Sequence, residues 1–364
     1  MADGQDASPS GGEEKVRWLR VRRVDQPPYA VEPGYRRLRE KDTLIRRVDW
    51  DKTSPLFGYH PHETLHRVLD RGGPGYTRAD HALFRASRAA YDALMRAGAF
   101  SEHLDRGPRS KYAEGLPPVG LPLAQTSLQV KRAATFLGAG RVGIARVDRR
   151  WLYAPNDGEA ERVPEQLKFA VVMAFPMDAQ GIATSPALPS AAATGLGYSR
   201  MTLTTVSVAE FIRDLGYRAL PSGNDSGLNI PLAIDAGLGE LGRHGLLLTP
   251  KWGPRVRLGK VFTDLSLEPD RPVSFGATKF CASCRRCATA CEAGAIPMDV
   301  KPSFGPSPTS NPGVLKWHVD AEKCYGFWLE NGMDCSNCIT TCPYSASPVH
   351  QKPEEFWGSN VKPE

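Results

Sequence analysis

All eight cysteines of this 364-residue chain lie between Cys281 and Cys342, and this segment constrains the fold more than any other feature of the sequence. They form two runs, Cys281-x2-Cys284-x2-Cys287-x3-Cys291 and Cys324-x10-Cys335-x2-Cys338-x3-Cys342. A compact Cys-x2-Cys-x2-Cys turn presents three thiolates to one iron-sulfur cube and leaves the fourth corner to a distant cysteine. The spacing therefore predicts two 4Fe-4S clusters.

The second run also predicts which cysteines share a cluster, because in two-cluster ferredoxins the fourth cysteine of each run ligates the other cluster. Cysteine group 1 then consists of Cys281, Cys284, Cys287 and Cys342. Cysteine group 2 consists of Cys335, Cys338, Cys291 and Cys324. Glu292 stands where a proline commonly follows the fourth cysteine, whereas Pro343 keeps that position in the second run.

Clustered cysteines have two other common uses. Two zinc sites would take the same residue type, although zinc sites usually show Cys-x2-Cys pairs and not a triple with a fourth cysteine three residues on. Disulfides are disfavoured, because a chain of this length needs no covalent staples and we expect no secretory segment.

Composition and charge narrow the class of protein. The chain has 41% hydrophobic and 24% charged residues and a formal net charge of +6, which is normal for a globular protein. The charge is spread along the chain and suits an acidic electron donor, an anionic substrate or a nucleic acid equally. We expect a small halogenated organic substrate and no nucleic-acid partner. We also expect no transmembrane segment, since no apolar window reaches the roughly 18–20 residues that a span needs. The twin arginine Arg22-Arg23 lacks a following apolar stretch, so we predict no export signal and a cytoplasmic protein.

The cysteine region is only about a sixth of the chain, so a larger core must precede it. Helical and strand patterns alternate irregularly there, which predicts an α+β fold in the form of an α/β sandwich. The predicted divisions are a disordered N-terminus (1–25), an arm with helices that wraps the core (26–122), the core (123–274), a two-cluster ferredoxin-like domain (275–348) and a tail (349–364).

Local signals predict individual elements of this core. Thr77-x-x-Asp80 resembles a capping box at the start of a helix. The continuous apolar run 167–175 predicts a buried central strand. The small-residue stretch 186–197 is expected to lead through Tyr198 into a helix.

One glycine pattern invites a nucleotide-binding interpretation. Gly237-x-Gly239-x-x-Gly242 matches the dinucleotide fingerprint as a bare pattern. A Rossmann turn follows a strand at the start of a βαβ unit, whereas these glycines follow a short predicted helix and precede a strand. We therefore favour no nucleotide site at these glycines.

Polar side chains that are costly to bury concentrate between residues 194 and 257. Three segments there, 195–201, 221–225 and 253–257, each contain Gly or Pro, which shape the backbone for close approach to a ligand. A tyrosine in a helix is usually a core residue and an arginine is usually on the surface. The glycines and prolines beside them favour a binding site instead.

Four segments then occur in a specific order: GLGYSRM, PSGNDSGLNIPLAIDAGLGELGRHGLLLTPKWGPRVRLGKVFTDL, CASCRRCATAC and CYGFWLENGMDCSNCITTCP. Over residues 125–345 the chain thus resembles the catalytic subunits of the corrinoid-dependent reductive dehalogenases. The second cysteine run with its Phe-Trp-Leu-Glu-Asn-Gly insertion is characteristic of that family.

The resemblance implies a nitroreductase-like core that holds a base-off corrinoid without a histidine ligand. The absence of the cobalt-binding motif Asp-x-His-x-x-Gly from the sequence agrees with this. We expect corrinoid contacts from Thr194, Gly195, Ser222 and Gly223. Electrons would come from a low-potential donor, such as a ferredoxin, flavodoxin or reductase, and pass through the two clusters to reach Co(I).

The resemblance also implies roles for single residues in removing halide from a halogenated organic substrate. Tyr198 matches the proton donor, Arg257 the cation that tunes it, Asn224 a polar residue of the substrate pocket and Trp328 an aromatic wall of that pocket. A nearby guanidinium stabilises a phenolate and makes a tyrosine a better acid.

Two alternative functions stay open. One is a related corrinoid reductase, such as an epoxyqueuosine reductase acting on tRNA, which uses a carboxylate as its acid; Tyr198 and the ten-residue gap after Cys324 argue against it. The other is a non-catalytic two-cluster electron carrier, which leaves the polar groups upstream unexplained.

Overall fold

The structure is a computed structural model that describes residues 20–60, 65–100, 120–156, 158–305, 308–345 and 352–357. Most of the predicted disordered N-terminus and of the tail lies outside these residues. The predicted divisions of the chain stay predictions.

Within the described residues the chain alternates short strands with helices. The strands are β1 (Arg22–Arg23), β2 (Arg141–Arg146), β3 (Phe169–Pro176), β4 (Ala219–Ser222), β5 (Glu240–Leu241), β6 (Leu247–Leu248), β7 (Val256–Thr263) and β8 (Val273–Ser274). The helices are α1 (Leu44–Arg47), α2 (Leu65–Arg71), α3 (Arg78–Arg96), α4 (Leu123–Phe136), α5 (Ala179–Ala183), α6 (Leu188–Asp214), α7 (Asn229–Asp235), α8 (Ala277–Ser283), α9 (Arg286–Thr289), α10 (Ala321–Asn331) and α11 (Asn337–Thr340).

A four-stranded antiparallel sheet with the order β2-β3-β7-β4 forms the centre of the molecule. The predicted apolar strand is β3, and its residues from Phe169 to Phe175 are all buried. Alternate residues of β3 enter two separate core clusters, one packed with α7 and the other with α4 and α6. Burial of both faces explains why the run is continuously apolar instead of alternating. The predicted mixed helix and strand core is therefore confirmed.

Two helices test the local signals directly. The capping box of Thr77 and Asp80 is present at the start of α3, with both reciprocal hydrogen bonds formed, so this prediction is confirmed. The expected start of the following long helix is wrong, because α6 begins at Leu188 and runs through Tyr198 without a break. The small residues of this stretch lie inside the helix, where they let α3 and β7 approach closely.

The segment that precedes α1 packs against the core. Strand β1 pairs with β8, and the rings of Tyr29 and Tyr35 contact Trp151 edge-on at 5.3 and 5.5 Å between centroids. Arg37 donates two hydrogen bonds, of 2.6 and 2.8 Å, to the carboxylate of Glu161. Tyr29 and Tyr35 thus pack against the core cluster that also contains residues of α7.

Hydrogen bonds join the cysteine region to the start of α6. Ser185 Oγ accepts a bond of 2.8 Å from the Ser336 amide and donates one of 2.7 Å to Asn337 Oδ1. Thr340 Oγ1 donates to the carbonyl of Ile182 at 2.7 Å. The loop of cysteine group 2 therefore docks on α5 and on the turn that leads into α6, the helix that carries Tyr198. No helix of the described chain has the length and apolar character that crossing a membrane requires.

Candidate functional site

Tyr198 lies half-buried in α6 between two polar residues that the sequence analysis selected. Asn224 Nδ2 donates a hydrogen bond of 3.2 Å to Tyr198 Oη. The guanidinium carbon of Arg257 lies 4.9 Å from the centroid of the Tyr198 ring, within the range of a cation–π contact. The structure therefore brings together all three residues predicted to act on substrate.

Glycines in α6 make this convergence possible. A Cβ atom at Gly197 would lie 3.0 Å from Arg257 Cγ, and one at Gly195 would lie 2.6 Å from atoms of both Ser87 and Arg88. Side chains at these positions would push β7 and α3 away from the helix. The pattern Gly-Leu-Gly-Tyr thus serves the close packing of three elements around Tyr198.

Arg257 connects Tyr198 to a second buried polar residue. Its Nη2 donates to Thr194 Oγ1 at 3.3 Å. Its Nε is buried and has no hydrogen-bond partner within the described residues. Because an unsatisfied buried donor is costly, this position fits an additional acceptor from a bound group.

Asp334 extends the site towards the cysteines, and the sequence analysis did not select it. Burial raises the pKa of its carboxyl, while the Arg257 guanidinium and a hydrogen bond from Thr194 oppose that rise. Asp334 directly precedes Cys335 of cysteine group 2. The sequence did contain a signal for this residue. Asp334 is an acidic residue between Gly332, which ends a helix, and the Cys-x2-Cys turn that begins at Cys335.

A buried lysine holds the loop that carries Asn224. Lys260 Nζ is fully buried and donates to the carbonyls of Gly223 and Asp225 and to Asn229 Oδ1 at 2.7, 2.9 and 2.9 Å. Asn229 Nδ2 in turn donates to Asn224 Oδ1 at 3.0 Å. A chain of hydrogen bonds therefore runs from Lys260 through Asn229 and Asn224 to Tyr198. The sequence analysis did not predict this chain, and its one sign in the sequence is a lysine within an otherwise apolar part of a strand.

Two of the four expected corrinoid contacts lie in the same loop. Ser222 Oγ donates to the Asp225 carbonyl at 2.7 Å, and the Gly223 amide donates to Asp225 Oδ1 at 2.7 Å. Their polar groups thus stabilise the loop itself. Thr194 and Gly195 lie one turn before Tyr198 in α6.

Trp328 lies in a different cluster. Its ring packs with Leu44, Val48 and Tyr325, and its ring neighbour is Tyr325 at 6.0 Å. The ring beside Tyr198 is instead that of Tyr91, at 5.4 Å. The pocket role of Trp328 stays a prediction, and Tyr91 is an aromatic neighbour that the sequence analysis missed.

Buried cysteine thiols lie close to one another, and their division into groups 1 and 2 stays a prediction. In group 1, burial raises the pKa of Cys342 to about 12, and the thiols of Cys281, Cys287 and Cys284 add to the rise. In group 2, burial raises the pKa of Cys324 to about 12, and Cys335 and Cys291 add to the rise. Burial also raises the pKa of Cys338, which the other three members of group 2 and Cys287 increase further. Thiols influence one another in this way only at short range.

Such thiols fit an iron-sulfur cluster. Binding to iron would favour the thiolate form of these cysteines. All eight are free cysteines. In the part of the chain that the structure describes, no three His, Cys, Asp or Glu side chains converge to hold a single metal ion.

Comparisons with known proteins agree with this arrangement. Residues 280–346 match the family described as a 4Fe-4S dicluster domain. The chain is 39% identical over 265 residues to the tetrachloroethene reductive dehalogenase of Desulfitobacterium hafniense, an alignment that covers 61% of this chain and 48% of that protein. It is 27% identical over 267 residues to the epoxyqueuosine reductase of Gloeobacter violaceus, which covers 61% of this chain and 77% of that protein.

A solved structure has the same fold. It is described as a reductive dehalogenase structure that suggests a mechanism for B12-dependent dehalogenation, and it matches with a TM-score of 0.70 and 23% identity. The match covers 93% of this chain and 46% of that chain. The resemblance to reductive dehalogenases that the sequence predicted is therefore confirmed, and the chain spans about half the length of the curated reductive dehalogenase it matches.

Proposed function

We propose that this chain, as a relative of the reductive dehalogenases, removes halide reductively from a halogenated organic compound. The observation that carries the proposal is the contact of Tyr198 with both Asn224 and Arg257. The helix that carries Tyr198 also shares a core cluster, through Ala193, with Ile339 and with Cys338 of cysteine group 2. The overall reaction replaces a carbon–halogen bond by a carbon–hydrogen bond, consumes two electrons and one proton, and releases a halide anion.

The cofactors follow from the same residues. Cysteine groups 1 and 2 would hold two 4Fe-4S clusters, and the nitroreductase-like core would hold a base-off corrinoid near Thr194, Gly195 and the loop of Ser222 and Gly223. When bound, the corrinoid supplies the cobalt that reduces the carbon–halogen bond, and the clusters supply it with single electrons.

Tyr198 would supply the proton. Its hydroxyl accepts from Asn224, so its own hydrogen is free to point towards a substrate. The Arg257 guanidinium over the ring stabilises the negative charge that develops as the proton leaves. Lys260 and Asn229 keep Asn224 in position, because their hydrogen bonds fix the loop in which it lies.

The order of the two clusters follows from the position of Asp334. Its carboxyl interacts with Thr194 and Arg257, and it is joined to Cys335 by one peptide bond. These contacts support cysteine group 2 as the group nearer to Tyr198, and electrons would reach it through cysteine group 1. The donor would be a ferredoxin, a flavodoxin or a reductase, and the cytoplasmic location stays a prediction.

Epoxyqueuosine reduction is the second candidate. The relative that is 27% identical is an epoxyqueuosine reductase, and the alignment covers 77% of its length. Tyr198 and the higher identity to the dehalogenase favour the first candidate. Assays of both substrates on one preparation separate the two functions.

The deciding experiment uses protein purified without oxygen and reconstituted with iron, sulfide and cobalamin. We expect about eight irons and one cobalt per chain, and halide release from chlorinated alkenes or halogenated phenols with a chemical one-electron reductant. Eight irons without retained cobalt would favour an electron carrier. Turnover of an epoxyqueuosine-modified tRNA without halide release would favour the second candidate.

A further inference from the structure

The hairpin formed by β5, β6 and the turn between them carries two buried charged side chains that the proposed reaction does not use. It overlaps the glycine pattern of residues 237–242, where a Cβ atom at Gly239 would lie 2.0 Å from the carbonyl oxygen of Leu248. Close pairing of β5 with β6 therefore explains this glycine. The charged residues are Glu240 and Arg243, which are 1% and 2% exposed.

Arg243 binds the backbone around cysteine group 1. Its guanidinium donates to the carbonyls of Cys281 (3.0 Å), Cys284 (3.2 Å), Ala282 (3.3 Å), Pro297 (2.9 Å) and Met298 (3.3 Å). Its opposite surface stacks on Trp317, with the guanidinium carbon 4.5 Å from the ring centroid. All its partners are neutral groups, and the ion pairs found within the described ranges do not include Arg243. Its positive charge therefore stays uncompensated at short range.

Glu240 binds the other end of the same cysteine helix. Its carboxylate accepts hydrogen bonds from the amides of Phe275, Gly276 and Thr278 at the start of α8, the last two at 3.0 and 3.4 Å. Cys281 lies in α8, between the amides that Glu240 binds and the carbonyls that Arg243 binds. One short hairpin thus places a negative and a positive charge at opposite ends of the first ligand segment.

The two charges lie at different distances from the group 1 ligands. Arg243 donates to the carbonyls of Cys281 and Cys284 themselves, whereas Glu240 binds amides three to six residues before Cys281. In cysteine group 2, Glu292 directly follows Cys291, and Asp320, at the start of α10, lies four residues before Cys324. Group 1 therefore has a buried cation in contact with two of its ligand residues, and group 2 has acidic residues close to its ligands.

We propose that Arg243 raises the reduction potential of the cluster held by cysteine group 1, and that Glu240 lowers it. Adding an electron makes a cluster more negative, and a buried guanidinium nearby stabilises the reduced form in a low-dielectric environment. Acidic residues beside cysteine group 2 have the opposite effect. The group 1 cluster is consequently reduced first and serves as the point where the electron from the donor is held. The inference rests on the proposed function only in requiring both clusters.

The test is a redox titration, followed by electron paramagnetic resonance, of the full chain reconstituted with iron and sulfide but without corrinoid. Wild-type protein should show two one-electron reduction steps. Arg243→Gln should lower the reduction potential of the first step by about 59 mV. This shift equals about a tenfold decrease in the reduced-to-oxidised ratio at a fixed potential. Arg243→Lys should move it less, and Glu240→Gln should raise it. Cys284→Ser should perturb the same step and so assign it to group 1.

Arg285→Gln is the matched control. Arg285 is next to Cys284 in sequence but half-exposed, and it already pairs with Asp299, so its removal should leave both steps unmoved. Iron content is measured for every variant. An unmoved first step in Arg243→Gln with all iron retained would overturn the proposal. If Arg243→Gln loses iron, the Glu240→Gln variant provides the test. A reduction potential of the first step that does not rise in Glu240→Gln would also overturn the proposal. Failure of the wild type to show two steps would instead contradict the proposed function.

Discussion

Asn224 Nδ2 donates a 3.2 Å hydrogen bond to Tyr198 Oη, although 26 residues separate the two in the chain. A hydrogen bond donated to the tyrosine oxygen leaves the hydroxyl hydrogen available to donate to another group. In the proposed reaction that group would be the substrate. This arrangement makes the hydroxyl, and not the ring, the group whose removal matters most.

Tyr198→Phe removes that hydroxyl and keeps the ring. We expect halide release to fall by at least about 100-fold, since positioned proton transfer contributes about 10²–10⁴-fold. Iron and corrinoid content should not change. Steady-state turnover and absorption spectra check this, and Tyr217→Phe, beyond the end of α6, is the control for loss of a tyrosine hydroxyl. Wild-type turnover in Tyr198→Phe would exclude this tyrosine as the proton donor.

Arg257→Gln removes the guanidinium above the tyrosine ring. In the proposed reaction this charge would stabilise the transition state, so we expect kcat to fall by about 10–100-fold, which is about 1.4–2.7 kcal/mol. Arg257→Lys keeps a cation and should lose less. Comparison of kcat in the two variants separates the effect of the positive charge from the effect of the planar guanidinium shape. Equal losses in both would mean that the planar hydrogen-bonding geometry matters, and not the charge.

Lys260→Met should destabilise the protein. The carbonyls of Gly223 and Asp225 would lose a buried donor, and each unsatisfied group costs about 1–3 kcal/mol. We expect the free energy of unfolding to fall by about 2–4 kcal/mol. Denaturant unfolding measures this, and an exposed lysine substitution, Lys251→Met, is the control. A difference below about 0.5 kcal/mol would show that the lysine does not hold the loop.

The same variant gives a pH dependence. Burial lowers the pKa of Lys260 from 10.5 to about 8, with Asp225 opposing the shift. Between these values the unfolded chain binds more protons than the folded chain, so wild-type stability rises with pH in this window. Relative to Lys260→Met the gain is at most about 1.4 kcal/mol per pH unit. Unfolding at about pH 8 and about pH 10 tests this, and a constant difference between the two proteins would contradict it.

Single cysteine variants test the two ligand groups. Cys338→Ala and Cys342→Ala come from the same run but belong to different groups. Each should lose one cluster, leaving about four irons instead of eight. The two should retain different electron paramagnetic resonance signals. Identical residual signals would mean that the crossed assignment of Cys342 to group 1 is wrong.

The sequence predicted those parts of the fold whose signals are local. The Thr77–Asp80 capping box and the apolar strand at 167–175 each depend on neighbouring residues, and both are present. The start of α6 has no such signal, because its first residue is preceded by Ala187, whose side chain forms no capping hydrogen bond. Only Pro189 in the first turn indicated a helix start there.

The candidate site divides in the same way. Tyr198, Asn224 and Arg257 were identified by resemblance, and the structure brings them together. Lys260 and Asp334 were missed because their importance depends on partners far away in sequence. Lys260 contacts carbonyls 35 and 37 residues before it, and a pattern of alternating or continuous apolar residues contains no information on such a partner.

Ser185 has a consequence for how the protein matures. Its hydroxyl ties the turn before α6 to Ser336 and Asn337, which directly follow Cys335. A bound cluster would hold this loop in place through the thiolates of cysteine group 2. Insertion of the second cluster should therefore order the first turns of α6 before any corrinoid is bound. Apoprotein lacking iron should exchange amide hydrogens faster at residues 182–195 than the iron-loaded form, which would make cofactor assembly sequential.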